Sequence, residues 1–369
     1  MIAIALFLLS AQEVKPWDDR PKALPQTKGG YNVELVGWVD SVGEVSSLAA
    51  SRDGKVVYAS GGSTEWRDSL IIVDISDPAN PYVYKRIGHD TLWSAGITVV
   101  DTFLYVWWLG TWAGNYIHEL RVFSISDPLN PVLLNIPYHY EGPQSKSTLL
   151  WGDACLHPTI DTIFYGFGDI RSFTISDPLN PRLISSTSGA GLFRSLSYPY
   201  LFTGSPDPPP YTYWYTYDLS NPAHMFLVHR DSVYEPYEFP GIAAWEYNGK
   251  RYVYLYGGSI DYSYDVTDPT NPILLNWGVR DPRAWICLVH GTRGYGGLSD
   301  GRHFAVFDLT DPVYIPAIAW YSNEPPLYGT FAPFIWVNGY VVTAVCTGPL
   351  RYGLAIYHYK YDTIPPDTI

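Results

Sequence analysis

The chain has 369 residues, long for one ordinary hydrophobic core, which points to a fold that spreads its apolar contacts over many small interfaces. Its formal charge is −13 and its 23 Lys and Arg form no basic run, which excludes nucleic acid as a partner. The 32 Tyr and 14 Trp suit strands packed on both faces, and no segment places apolar residues at helical spacing between caps, so the expected class is all-β.

Residues 1–11, Met-Ile-Ala-Ile-Ala-Leu-Phe-Leu-Leu-Ser-Ala, are an apolar run ending in small residues, the pattern of a secretory signal peptide. The run is too short to cross a bilayer as a helix, and no Cys follows it to carry a lipid anchor. It predicts a protein that is secreted or at the cell surface, extracellular or periplasmic, and not membrane-spanning, although the basic residues that usually open such a signal are missing. Residues 12–30 are polar with several prolines and read as a flexible N-terminal tail. Residues 31–39, Tyr-Asn-Val-Glu-Leu-Val-Gly-Trp-Val, then alternate as an outer strand does, with no hairpin partner nearby.

From there a unit repeats. Strands expected at 45–50, 56–60, 70–75 and 82–87 make a first set, and the third of them runs into Ser76-Asp77-Pro78-Ala79-Asn80-Pro81. The same frame returns at Ser126-Asp127-Pro128-Leu129-Asn130-Pro131 and at Ser176-Asp177-Pro178-Leu179-Asn180-Pro181. It drifts through Ser220-Asn221-Pro222, Thr267-Asp268-Pro269-Thr270-Asn271-Pro272 and Thr310-Asp311-Pro312. A period of about 45 residues ending each time in strand, turn, strand is the signature of propeller blades. Physically each copy is a hairpin: Asp or Asn accepts a backbone hydrogen bond across the turn, while Pro fixes φ and removes a donor that would lack a ladder partner.

Leu70-Ile71-Ile72-Val73-Asp74 and the turns that follow it in register resemble the LVIVD-repeat family over roughly residues 31–360. The resemblance implies a β-propeller of secreted or surface-attached type and supplies no catalytic residues. Blade four departs from the pattern, with Asn221 for Asp and His224-Met225 for Asn-Pro, and blade six has Tyr314 for Asn.

The last segment offers three strands, 334–337, 340–345 and 354–359, and lacks an outer one. Supplying it from residues 31–39 gives a seven-bladed β-propeller of four-stranded antiparallel blades over 31–361, closed by an N-terminal strand that completes the last blade. Residues 362–369, rich in Pro, Asp and Thr, read as a tail or linker. Cys155, Cys287 and Cys346 fall in strand-like runs at no metal-ligand spacing and offer no disulfide framework.

Chemistry is expected on the rim opposite the Ser-Asp-Pro turns, where the segments 60–69, 107–119, 204–213, 230–241 and 322–330 read as long loops. Trp107, Trp108, Trp112, Tyr234 and Tyr237 there could stack on sugar faces or grip peptide side chains, and Trp93, Arg280 and Arg283 fall at blade starts facing the central channel. The repeated Asp residues lie a blade apart, too far to converge on one cation, so they read as turn caps and no metal or other cofactor is expected. Gly-x-Ser-x-Gly, His-Glu-x-x-His and phosphate-loop motifs are absent, which ranks a binding module for a surface protein or glycan above an enzyme. The alternatives are a glycan hydrolase or lyase using Glu235, Glu238, Asp90 or Glu324, and a structural module of an envelope assembly. The protein is expected to be monomeric.

Overall fold

The computed structural model describes residues 30–61, 69–88, 92–112, 115–143, 155–156, 162–166, 169–188, 193–205, 211–234, 241–256, 260–278, 284–298, 303–323, 327, 329–348 and 351–360. The expected signal, most of the N-terminal tail and the C-terminal tail lie outside them.

The described residues form seven antiparallel sheets, six of four strands and one of five, with the four strands of each blade counted from the channel outward. Blade 1 runs Val45–Ala50, Val56–Gly61, Ser69–Asp74 and Tyr82–Gly88. Blade 2 starts at Leu92–Val100, blade 3 at Cys155–Leu156, blade 4 at Phe193–Ser197, blade 5 at Gly241–Tyr247, blade 6 at Ala284–His290 and blade 7 at Gly329–Val337. In blade 1 the third strand carries the unbroken apolar run Leu70 to Val73 because both of its faces are buried. Leu70 and Ile72 pack with blade 2, while their neighbours Ile71 and Val73 pack with blade 7. Each of seven hydrophobic clusters joins one adjacent pair of blades, and the cluster that seats Val342 and Ile356 against Val57 and Val73 closes the ring.

The expected closing strand is present, in a form the sequence did not indicate. Val33–Val39 pairs antiparallel with Arg351–Tyr359, from Val33 opposite Tyr359 to Val39 opposite Leu354. Gly30–Tyr31, however, pairs with the outer strand of blade 6, Ala317–Ser322, and gives that sheet a fifth strand. The chain changes blade at Asn32, whose φ of 57° is one that asparagine tolerates better than most residues, and the Asn32 carbonyl accepts from the Lys360 amide at 3.0 Å. Tyr31 stacks on Trp320 with ring centres 4.9 Å apart. One N-terminal segment therefore clasps two blades.

Every outer strand also carries a bulge at the same height, placing one extra residue, Tyr84, Leu134, Ile184, Val228, Leu275, Ile318 or Val36, against the third strand. A bulge increases twist and spoils the edge for pairing with another molecule. It also aims the next residue at the following blade. Asn135 donates to the Leu179 carbonyl at 2.9 Å and Asn276 to the Val313 carbonyl at 2.9 Å. At the corresponding Gly37 a Cβ would stand 2.2 Å from the Pro78 carbonyl oxygen, so the close approach itself requires glycine.

Candidate functional site

The Ser-Asp-Pro rim is structural. In each of the first three turns the Asp carboxylate accepts the amide two residues on and the side-chain amide of the following Asn. Asp127 accepts Leu129 N at 3.1 Å and Asn130 Nδ2 at 2.9 Å, and Asp177 accepts Leu179 N at 3.1 Å and Asn180 Nδ2 at 2.8 Å. Where the motif drifts, the backbone half persists: Asn221 Oδ1 accepts Ala223 N at 3.0 Å, and Asp311 Oδ1 accepts Val313 N at 2.9 Å. The Asp that ends the third strand caps a second turn, as Asp74 does with Ser76 N at 2.8 Å and Asp265 with Thr267 N at 3.0 Å. In the Asp177 turn, the Asn180 amide and then the Leu179 amide hold the carboxyl below the usual range. The turns also tie blades together, since Tyr105 donates to the Pro178 carbonyl of the next turn at 3.1 Å and Ser172 to that of Pro222 at 2.7 Å.

Antiparallel alternation puts the first-to-second strand turns on this same rim and leaves the other two kinds of connection on the opposite one. Of the residues expected to recognise ligand on that opposite rim, Trp107 and Trp108 are in neither loop nor surface. The expected loop at 107–119 is mostly strand, Phe103–Trp112 and Asn115–Ser124, and both indoles are 0 % exposed. Trp107 lies in the cluster between blades 2 and 3, against Phe173, and Trp108 in that between blades 1 and 2, beneath the Arg121 guanidinium at 5.1 Å. Arg121 is itself paired with Glu119 at 2.6 Å. Adjacent residues in a strand point to opposite faces, and here both faces are core. Trp112 is the last residue of its strand, opposite Asn115, at the rim itself.

Trp93 is half-buried against the cluster between blades 2 and 3. Tyr237, Arg280 and Arg283 lie outside the described residues, as do all four carboxylates considered for catalysis, Glu235, Glu238, Asp90 and Glu324.

Tyr234 does reach the rim. It ends the outer strand Phe226–Tyr234 of blade 4, directly opposite Tyr211, which opens the third strand Tyr211–Asp218. The two rings meet edge to face at 5.8 Å, and Tyr234 and Tyr211 remain 50 % and 51 % exposed. The Tyr262 hydroxyl of blade 5 fixes this strand end by donating to the Tyr234 carbonyl at 2.9 Å. Below the pair on the same face, Arg230 lies over the ring of Tyr213 at 4.3 Å. Reading single positions misses Arg230. The signal was present in Tyr211, Tyr213, Tyr215 and Tyr217 recurring at spacing two, with the outer strand folding back across them.

Inside the channel the first strands of blades 4 to 6 line a cavity of about 480 Å³ with Ser195, Ser197, Trp245, Glu246 and Cys287. Its polar groups are engaged with one another. Ser197 accepts from Arg251 Nε at 2.9 Å and donates to Glu246 at 3.3 Å, while the Arg251 guanidinium binds both Glu246 and the Tyr198 carbonyl. Trp245 is buried, its indole N–H donating to the Leu309 carbonyl at 2.9 Å. The Cys287 thiol and the Tyr256 hydroxyl lie 3.9 Å apart, and burial first, then the neighbouring thiol, pushes that phenol far up.

No helix among the described residues is long and apolar enough to cross a membrane. The LVIVD repeat is matched at residues 64–87. Among curated proteins none has a sequence that matches this chain. Solved structures similar to it include the WD40 domain of Toxoplasma gondii coronin, at 11 % identity and a TM-score of 0.57 over 93 % of this chain and 90 % of that one. A functionally unknown protein from Desulfotomaculum acetoxidans is similar at 11 % identity and a TM-score of 0.53, over 80 % of this chain and 95 % of that one. The β-propeller domain of Myceliophteria thermophila Cps50 (Swd1) is similar at 9 % identity and a TM-score of 0.52, over 87 % and 98 %. At such identities the likeness is one of fold, and it agrees with the sheet order: the chain is a seven-bladed β-propeller of four-stranded antiparallel blades that carries an LVIVD repeat.

Proposed function

We propose that this propeller is a binding module, secreted or held at the cell surface, that recognises a protein or glycan through the rim opposite its Ser-Asp-Pro turns. The observation that carries the reading is the pair Tyr211 and Tyr234, two half-exposed rings in edge-to-face contact at strand ends on that rim. Rigid aromatic surface anchored by a scaffold suits recognition, because little side-chain entropy is lost when a ligand covers it. The turn rim, by contrast, uses its polar groups on itself. The apolar run at residues 1–11 supports secretion. The test is a glycan array and a pull-down with the mature chain. Tyr234→Ala is expected to weaken the recognised ligand by about tenfold or more with the melting temperature unchanged. Equal binding by the variant would remove this rim from the account.

A further inference from the structure

Resting on that reading, we propose that the face of blade 4 turned toward blade 3, along its outer strand, takes an acidic sugar, a uronate residue of a glycan, with Tyr211 and Tyr234 as its platform and Arg230 as its carboxylate partner. In the strand register Tyr211 stands opposite Tyr234, Tyr213 opposite Ser232 and Tyr215 opposite Arg230, so all these side chains share one face. Arg230 is exposed and lies over the rings of Tyr213 and Tyr215, at 4.3 and 5.7 Å. Among the described residues no carboxylate is bonded to it. Its sequence neighbour Asp231 stands opposite Trp214, whose indole packs toward blade 5, and so projects from the other face.

The facing side of blade 3 combines apolar residues with small polar ones. Ser172 of blade 3 faces blade 4, since its hydroxyl donates to the Pro222 carbonyl there. Ile170 on the same face packs with Tyr215 and Tyr217. Their partners in the outer strand of blade 3, Ser185 opposite Ser172 and Thr187 opposite Ile170, are half-buried on that side. The seam thus has Ser185 and Thr187 on the blade 3 side and the tyrosine stripe with Arg230 on the blade 4 side.

Each part matches one part of a uronate. The apolar C–H face of a pyranose stacks on a tyrosine ring, sugar hydroxyls exchange hydrogen bonds with Ser and Thr, and a guanidinium pairs with a carboxylate in a fork that an ammonium cannot copy. The exposed guanidinium favours the acid over a neutral sugar at short range. In a chain of net charge −13 the long-range field repels anions, so an exposed cation fixed on a tyrosine stripe provides local attraction that a neutral sugar would not use.

The experiment titrates the mature chain with galacturonate, alginate and hyaluronan oligosaccharides, each against its methyl-esterified form, which keeps the ring and removes the charge. At least one acid form is expected to bind about tenfold tighter than its ester and to weaken as salt rises. Arg230→Gln is expected to abolish that preference with the melting temperature unchanged, whereas Tyr234→Ala weakens acid and ester together. Equal binding of acid and ester, or a preference that survives Arg230→Gln, would overturn the acidic-sugar assignment and leave the binding-module reading standing. If no oligosaccharide in the panel binds while the pull-down yields a protein ligand sensitive to Tyr234→Ala, the sugar assignment alone fails. If Tyr234→Ala changes neither, both fail.

Discussion

The phenolic hydroxyl of Tyr58, in blade 1, donates to the carbonyl oxygen of Pro128, inside the Ser-Asp-Pro turn of blade 2, at 2.9 Å. Tyr105 repeats the contact one blade on, with Pro178. Both phenols are pushed well above the ordinary tyrosine range, in Tyr58 by burial first and then by the carboxylates of Asp53 and Asp127, so they remain donors. The turn therefore terminates its own hairpin and also accepts the seam bond of the preceding blade.

Tyr58→Phe removes one such bond and leaves a carbonyl near solvent, so an expected loss of about 1 kcal/mol should appear as a lower melting temperature. The double variant with Tyr105→Phe should lose close to the sum, because the two bonds lie in different seams. Calorimetry that finds neither single variant shifted would remove the seam bond from the stability account.

Closure should fail in two stages. Tyr31→Ala loses the stack on Trp320 and should raise amide exchange in Ala317–Ser322, with Arg351–Tyr359 still protected. Starting the chain after Val39 uncovers the edge of Arg351–Tyr359 as well and should give an aggregating protein by light scattering. Uniform exchange at both strands in Tyr31→Ala would mean that the clasp acts as one unit.

The Asp177 turn makes a pH prediction. Its carboxyl is depressed in the folded state by Asn180 and Leu179, so its contribution is present above the unfolded value of about 4 and is lost as pH falls through the lower folded value. Asp177→Asn, which blade 4 already uses at Asn221, should keep the turn and flatten the dependence of melting temperature on pH below about 4. Adding a chelator should leave the melting temperature in place, since each Asp is bonded within its own turn.

Trp107 and Tyr234 should behave oppositely. Trp107→Ala empties a site between blades 2 and 3 and should cost roughly 3 to 5 kcal/mol, seen as a large drop in the denaturation midpoint. Tyr234→Ala should leave that midpoint within about 0.5 kcal/mol of the parent and change binding alone. A Trp107→Ala protein of unaltered stability would contradict the burial found for this indole.

The repeat, the blade count, the turn chemistry of Asp77, Asp127 and Asp177, and the origin of the closing strand were all legible in the sequence. They are local or periodic properties: a period near 45 residues, an alternation of two, and turn residues whose conformations are intrinsic. Less of the site was legible. Tyr234, expected within a loop, instead ends a strand at the rim, whereas Trp107 and Trp108 are core, a strand buried on both faces having no polar alternation to separate it from an aromatic loop. Tertiary structure alone decided three further things: that the N-terminal segment changes blade at Asn32, that a bulge at one height turns each outer strand toward its neighbour, and that Arg230 comes to rest over Tyr213. Each depends on cross-strand register, which is set by long-range pairing and the packing of whole blades, and one residue of slip would carry Arg230 to the opposite face of its sheet.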